Sequence, residues 1–280
     1  MIIVDCHPHI YAANRITYPT IPEPVEHVEP ASAEDLKRRM EASGVDKAVF
    51  IQTSTFYEFD NRYIIDATAR HGSWATGVVT LSPDNPDDIA ELRRAHAAGV
   101  RGMRGNPDES GSITSPGIKR LWGACRDLGM VVNCHVSNDR PVMEILEIAA
   151  ALPGLTIVLD HCLYLSAKLG NVESTIAKLE VLARASDRFY AKLTCAHGGS
   201  DEPWPHRDMH EPLQRVVAAF GAERCVWGSD FPQALWTPGT SYDQHVRLFT
   251  EELGLSEEEK VAIMGTTALK LWFGGGGGKL

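Results

Sequence analysis

Residues 130–161 read MVVNCHVSNDRPVMEILEIAAALPGLTIVLDH. MVVNCH (130–135) is a short apolar run that ends on polar residues. VMEILEIAAAL (142–152) repeats its apolar residues at helical spacing, and LTIVLDH (155–161) is a second short run with a polar end. Strand, helix, strand at this spacing is the unit of a parallel sheet with crossovers, and strands this continuously apolar are buried on both faces.

The unit recurs on either side. IIVDCH (2–7), KAVFIQ (47–52), ATGVVTL (75–81), GVRGMR (99–104), RFYAKLT (188–194) and RCVWGSD (224–230) are runs of the same kind. Helical segments lie between them, among them SAEDLKRRMEAS (32–43), DIAELRRAHAA (88–98) and VESTIAKLEVLARA (172–185). Ser32 with Asp35 three residues on, and Asp87 before an apolar-periodic stretch, read as helix caps. Eight strand–helix units over residues 1–273 predict an α/β protein built as a single (β/α)8 TIM barrel. An open doubly wound sheet is disfavoured because no strand runs into a Gly-x-Gly-x-x-Gly turn. TYPTIPEPVEHVEP (17–30) breaks the rhythm and reads as an ordered loop over the barrel mouth. The terminal GGGGGKL (274–280) reads as a linker or tag remnant.

A formal net charge of −10 without clustered Lys and Arg argues against a nucleic-acid partner. No apolar run reaches bilayer length and no signal-like leader is present, so the expected address is the cytoplasm and the expected partner a small molecule, with a homo-oligomer left open. The six cysteines show no Cys-x-x-Cys and read as reduced, buried side chains.

Catalytic side chains of such barrels gather at the C-terminal ends of strands. Here those ends carry His7 and His9, Arg101 and Arg104, His135, Asp160 and His161, Lys192 and Thr194, and Asp230. Strand alternation would put Asp5, His7 and His9 on one side. One histidine at such a position is more often a core residue than a ligand. Four with an aspartate must pair with each other, a metal or a substrate, because unpartnered buried polar groups cost several kcal/mol. Arg101 and Arg104, three apart, point to opposite faces, which favours Arg104 as the grip on a substrate carboxylate. Tyr57, Tyr164, Trp204, Trp236 and His197 follow strands on loops and could reach the mouth. His206 and His210, His71 and His96 read as surface or helix-end residues. No Gly-x-Ser-x-Gly elbow supports a serine nucleophile.

His-x-His on the first strand, a lone His on the fifth, Asp-His on the sixth and GSDFP on the eighth resemble the amidohydrolase superfamily. VLDH, YAKLT, VWGSDFP and GVRGMR more narrowly resemble its amidohydrolase-2 branch of 2-pyrone-4,6-dicarboxylate lactonase-like hydrolases. The resemblance implies a hydrolase that opens a lactone or related cyclic ester of a carboxylate-bearing substrate. By position it implies His135 and His161 among the mouth histidines that act on the carbonyl. Hydrolysis also needs a base, for which Asp230 is the candidate, while Arg104, Arg101, Tyr164 and Trp204 are read from their charge and loop positions as candidates around the substrate. The resemblance implies His7, His9, His135 and Asp230 as ligands of one Zn or Mn, or of no metal where the histidines polarise the carbonyl themselves. No lysine ends strand four, which argues against two metals. The same branch also contains metal-dependent non-oxidative decarboxylases of aromatic or unsaturated acids, the alternative reading.

Overall fold

The structure is a computed structural model that describes residues 1–25, 31–137, 139–140, 142–194 and 196–274. Eight strands form one parallel sheet in sequence order: β1 (Val4–Asp5), β2 (Lys47–Ile51), β3 (Ala75–Thr80), β4 (Gly102–Gly105), β5 (Val131–Cys134), β6 (Ile157–Leu159), β7 (Phe189–Leu193) and β8 (Cys225–Trp227). Cys6 N donates to Trp227 O across 3.1 Å and His9 N to Phe231 O across 2.8 Å, which brings the first strand beside the last. The expected barrel is what forms.

Alternation along the strands builds two cores. Phe50, Met103, Val132, Leu159, Ala191 and Trp227 face the surrounding helices. Val49, Ile51, Val78, Val131, Val158, Tyr190 and Val226 fill the barrel, together with Ala268 and Trp272 of the C-terminal helical run. Two residues further along each strand, Arg104, Asn133, Asp160, Lys192 and Gly228 occupy interior positions. The barrel is therefore apolar below and polar just under its mouth.

Helices lie near their expected ranges, for example Ala33–Ala42, Asp88–Ala97, Val142–Ala151 and Val172–Ala185. Ser32 and Asp35 form a reciprocal capping box, as expected. Asp87 does not cap: its backbone is already helical and its side chain makes no cap bond. The segment before residue 26 runs against the loop after β2, with Ile21 N bonded to Phe56 O and Val25 N to Thr55 O. Residues 26–30 of that loop and 275–280 of the glycine-rich end lie outside the described residues, as does the side chain of His197. Cys6, Cys125, Cys134, Cys162 and Cys225 are buried, and no disulfide joins them. No helix among the described residues is long and apolar enough to cross a membrane.

Candidate active site

A pocket of about 340 Å³ opens at the C-terminal ends of the strands. His9, Arg104, His135, His161, Tyr164 and Asp230 line it, with Thr53–Thr55, Ser166, Thr194 and Trp236. Six sequence-predicted site residues thus meet in one cavity. Arg101 and Trp204 do not line it. Arg101 precedes β4, and its Nη1 donates to the carbonyls of His96 and Val100, so the residue fastens the entry to the strand. The Trp204 indole donates to Gln244 O across 3.2 Å beneath the Arg247 guanidinium. Tyr57 accepts the Ala12 amide at 2.7 Å and is a buried packing residue. His206 is buried, bonded to Glu202 O and Thr240 Oγ1, rather than on the surface, and His210 bonds Pro205 O.

The His7–His9 pair converges for a reason other than strand alternation. β1 ends at Asp5, and both histidines follow in irregular backbone. Asp5 does not share their side. Its carboxylate accepts the amides of His7 and Ser229 and the hydroxyl of Tyr242 at 3.2, 2.9 and 2.9 Å, and burial pushes its pKa up. His9 Nδ1 donates to Ile51 O across 2.9 Å, because a carbonyl can only accept. That leaves His9 Nε2 turned to Asp230 Oδ1 at 3.3 Å. His7 Nε2 lies 3.7 Å from the same oxygen, buried and without a hydrogen-bond partner among the described residues.

His135 Nδ1 bonds Asn106 Oδ1 at 3.0 Å, and its Nε2 contacts the Tyr164 hydroxyl. His161 Nδ1 bonds Thr194 Oγ1 at 2.7 Å. Burial holds His161 down to about 4, the nearby Asp230 and Asp160 opposing it. Burial, with Arg104 for His135 and Lys192 for His7, holds these two histidines well below the usual imidazole range. All three are neutral at pH 7. A neutral imidazole can still donate a hydrogen bond to a carbonyl.

Beneath the pocket lies a charged layer whose role sequence reading left unassigned. Lys192, Asp160, Asn133 and His7 are each 0 % exposed. Lys192 Nζ sits 2.8 Å from Asp160 Oδ1 and 3.1 Å from His7 Nδ1. Asn133 Nδ2 donates to the same Asp160 oxygen at 3.2 Å. Burial would raise Asp160, but Lys192 and then Arg104 overcome it and hold the carboxyl below its ordinary value. Arg104 Nε is 3.7 Å from Asp160 Oδ2, and neither atom has a hydrogen-bond partner among the described residues. The lone lysine at an interior position of FYAKL was the visible signal; its partner 185 residues away was not.

Among the described residues, a ring nitrogen each of His7 and His9 and a carboxylate oxygen of Asp230 lie within 4.8 Å of one another, the spacing a metal site requires. His135 is not part of that group.

The family model described as Amidohydrolase (Amidohydro_2) matches residues 4–274. The chain is 31% identical over 238 residues to L-fucono-1,5-lactonase of Burkholderia ambifaria, covering 82% of this chain and 80% of that protein. It is 27% identical over 233 residues to 4-sulfomuconolactone hydrolase of Rhizobium radiobacter, covering 82% and 75%. A crystal structure from Pseudomonas putida, provisionally described as a 2-pyrone-4,6-dicarboxylic acid hydrolase, superposes with a TM-score of 0.83 at 25% identity over 97% of both chains. With the barrel, the mouth pocket and a match over almost its whole length, the chain belongs to the amidohydrolase family.

Proposed function

We propose that the protein is a hydrolase that opens the ring of a small lactone bearing a carboxylate. The observation that carries this reading is the carboxylate of Asp230 on the pocket wall, 14% exposed and facing two imidazoles, with the Arg104 guanidinium across the same cavity. Asp230 takes a proton from water as the water oxygen attacks the acyl carbon. The neutral His161 ring, its Nδ1 bonded to Thr194, presents Nε2 to the carbonyl oxygen as negative charge builds there. The acyl C–O bond then breaks, and the leaving ring oxygen takes the proton back from Asp230. Arg104 binds the substrate carboxylate, which suits a guanidinium. Tyr164, whose hydroxyl contacts His135, closes that side. Lactone relatives support the class of substrate, and family membership supports hydrolysis.

A divalent ion is the family's other means of polarising a carbonyl. His9 and Asp230 fit one, since His9 carries its proton on Nδ1 and offers Nε2. His7 does not fit, because its Nδ1 faces the Lys192 ammonium rather than an acceptor. No step is therefore assigned to a metal.

The test is ring opening followed by proton release across a panel of sugar and muconate-type lactones with chelator-treated protein. Asp230→Asn should lower kcat by roughly 10²–10⁴ while leaving substrate binding in place. Carbon dioxide release from an aromatic acid, with no lactone turned over, would replace this reading with the decarboxylase one.

A further inference from the structure

We infer that Lys192 is a positioning residue that fixes the ring proton of His7 on Nε2, making His7 a hydrogen-bond donor toward Asp230 and closing it as a metal ligand. This rests on the hydrolytic reading of the pocket, although its measurements read His7 whatever the substrate is.

The argument is one of donors and acceptors. An ammonium has three donors and no acceptor. Lys192 Nζ makes a buried contact of 2.8 Å with Asp160 Oδ1. Its Nζ stands 3.1 Å from His7 Nδ1, so Nδ1 must accept, and the single proton of the neutral ring moves to Nε2. Turned around, with the proton on Nδ1, two donors would face each other with no water between them, since both residues are wholly buried. The acceptor that would stabilise that tautomer, Asp160 Oδ1, lies 3.8 Å from Nδ1, beyond hydrogen-bond reach. Trp272 closes the far side, its ring 5.6 Å from Nζ, so the ammonium has no apolar-side escape.

Metal-binding histidines show the opposite pattern: the ring nitrogen away from the ion donates to a carboxylate or carbonyl. His9 has that pattern through Ile51 O; His7 has it reversed. A metal at this cluster would need His7 stripped of its last ring proton or Lys192 neutralised beside Asp160. The Nε2 proton instead points toward Asp230 Oδ1, 3.7 Å away, where a small closure makes a hydrogen bond that steadies the base.

The first measurement needs no variant. Long-range proton–nitrogen correlation spectra of histidine-labelled protein, with His7 assigned by its loss in His7→Gln, should show Nε2 protonated and Nδ1 bare at neutral pH. One equivalent of Zn²⁺ should leave that pattern unchanged. A proton on Nδ1, or Zn²⁺ displacing the Nε2 proton, overturns the proposal. The second measurement is zinc affinity by calorimetry on Lys192→Met, which takes the ammonium from beside Nδ1 and leaves the Asp160 carboxylate 3.8 Å away. Zinc binding should tighten by about 10- to 100-fold, and kcat should fall with KM held, because Lys192 does not line the pocket. If Lys192→Met does not fold, Lys192→Met with Asp160→Asn removes both charges together and is read the same way. A folded variant with the parent's tautomer and zinc affinity overturns the proposal.

Discussion

Acidification should destabilise this fold through its buried histidines, and His161 allows the size to be worked out. Its folded pKa is held near 4 by burial, against an ordinary imidazole value of 6.5. Between those values the unfolded chain binds a proton that the folded chain refuses, so stability falls as pH falls, by up to about 1.4 kcal/mol per pH unit for one group. Integrated over that window, His161 alone costs roughly 2 kcal/mol at pH 5 and about 3 kcal/mol at pH 4. That is a sizeable part of a typical stability of about 5–15 kcal/mol. His7 and His135 are shifted in the same direction and add to the loss. Asp5, raised by burial, works the other way at the acid end, since its protonated form is the one the fold prefers. The clean measurement is therefore a difference. Urea unfolding of the parent and of His161→Gln at pH 7 and pH 5 should give a pH-dependent loss about 2 kcal/mol smaller in the variant. Equal losses in the two proteins would refute the assignment of a neutral, buried His161.

Three further outcomes follow from the same geometry. Arg104→Met should raise KM for a carboxylate-bearing lactone by about 10- to 100-fold, in line with a charged hydrogen bond of about 1.5–3 kcal/mol, whereas Arg101→Met should leave steady-state kinetics unchanged; similar effects at both positions would remove Arg104 from the pocket's chemistry. Gly228→Ala places a Cβ 2.6 Å from both His7 Cβ and Thr194 Cγ2, so thermal unfolding should show a loss of about 1–3 kcal/mol from overpacking, with kcat reduced as His7 moves. Tyr164→Phe keeps the ring beside His161 but removes the hydroxyl that contacts His135; a kcat change well below tenfold, with KM raised, is expected if Tyr164 closes the pocket without transferring protons.

The barrel was legible because its signal is repeated eight times, and each run needs only its own residues to be read. Parity within a strand is legible too: three positions on a strand reverse the face, so only one of Arg101 and Arg104 can turn inward, and Arg104 is the one in the pocket. Trp204 misled because its loop position says nothing of its partner, the Gln244 carbonyl forty residues away. His206 misled in the same manner, bonded inside the fold to Thr240. The ion pair of Lys192 with Asp160 was hidden for the complementary reason. Each residue is visible as a charge in an apolar run, but which charges meet depends on strand order and register, which alternation alone does not supply.

Two of the candidate site residues, His7 and His161, sit where simple strand alternation would not have put them. Asp160 occupies an interior position, so an uninterrupted β6 would turn His161 outward with Leu159, toward the helices. The chain instead makes one left-handed turn: His161, Cys162, Leu163 and Tyr164 have φ of 53°, 48°, 57° and 58°, with no glycine among them. Such backbone costs about 1–2 kcal/mol per residue. Leu163 N to Asp160 O, Cys162 Sγ to Lys192 O and Asn171 Nδ2 to Tyr164 O tie it down, at 3.1, 3.3 and 3.0 Å. What it gains is direction, since His161 and Tyr164 come round to the pocket with ring centroids 5.1 Å apart. His7 reaches the barrel axis by leaving β1 early, and Asp230 also takes a positive φ, 56°, at the end of the β8 segment. Strain at two strand ends, after β6 and after β8, thus includes three residues that line the pocket, His161, Tyr164 and Asp230. It is tolerated there because the regular strands below already fix the fold, and a repeating pattern cannot by itself aim side chains from different strands at one point.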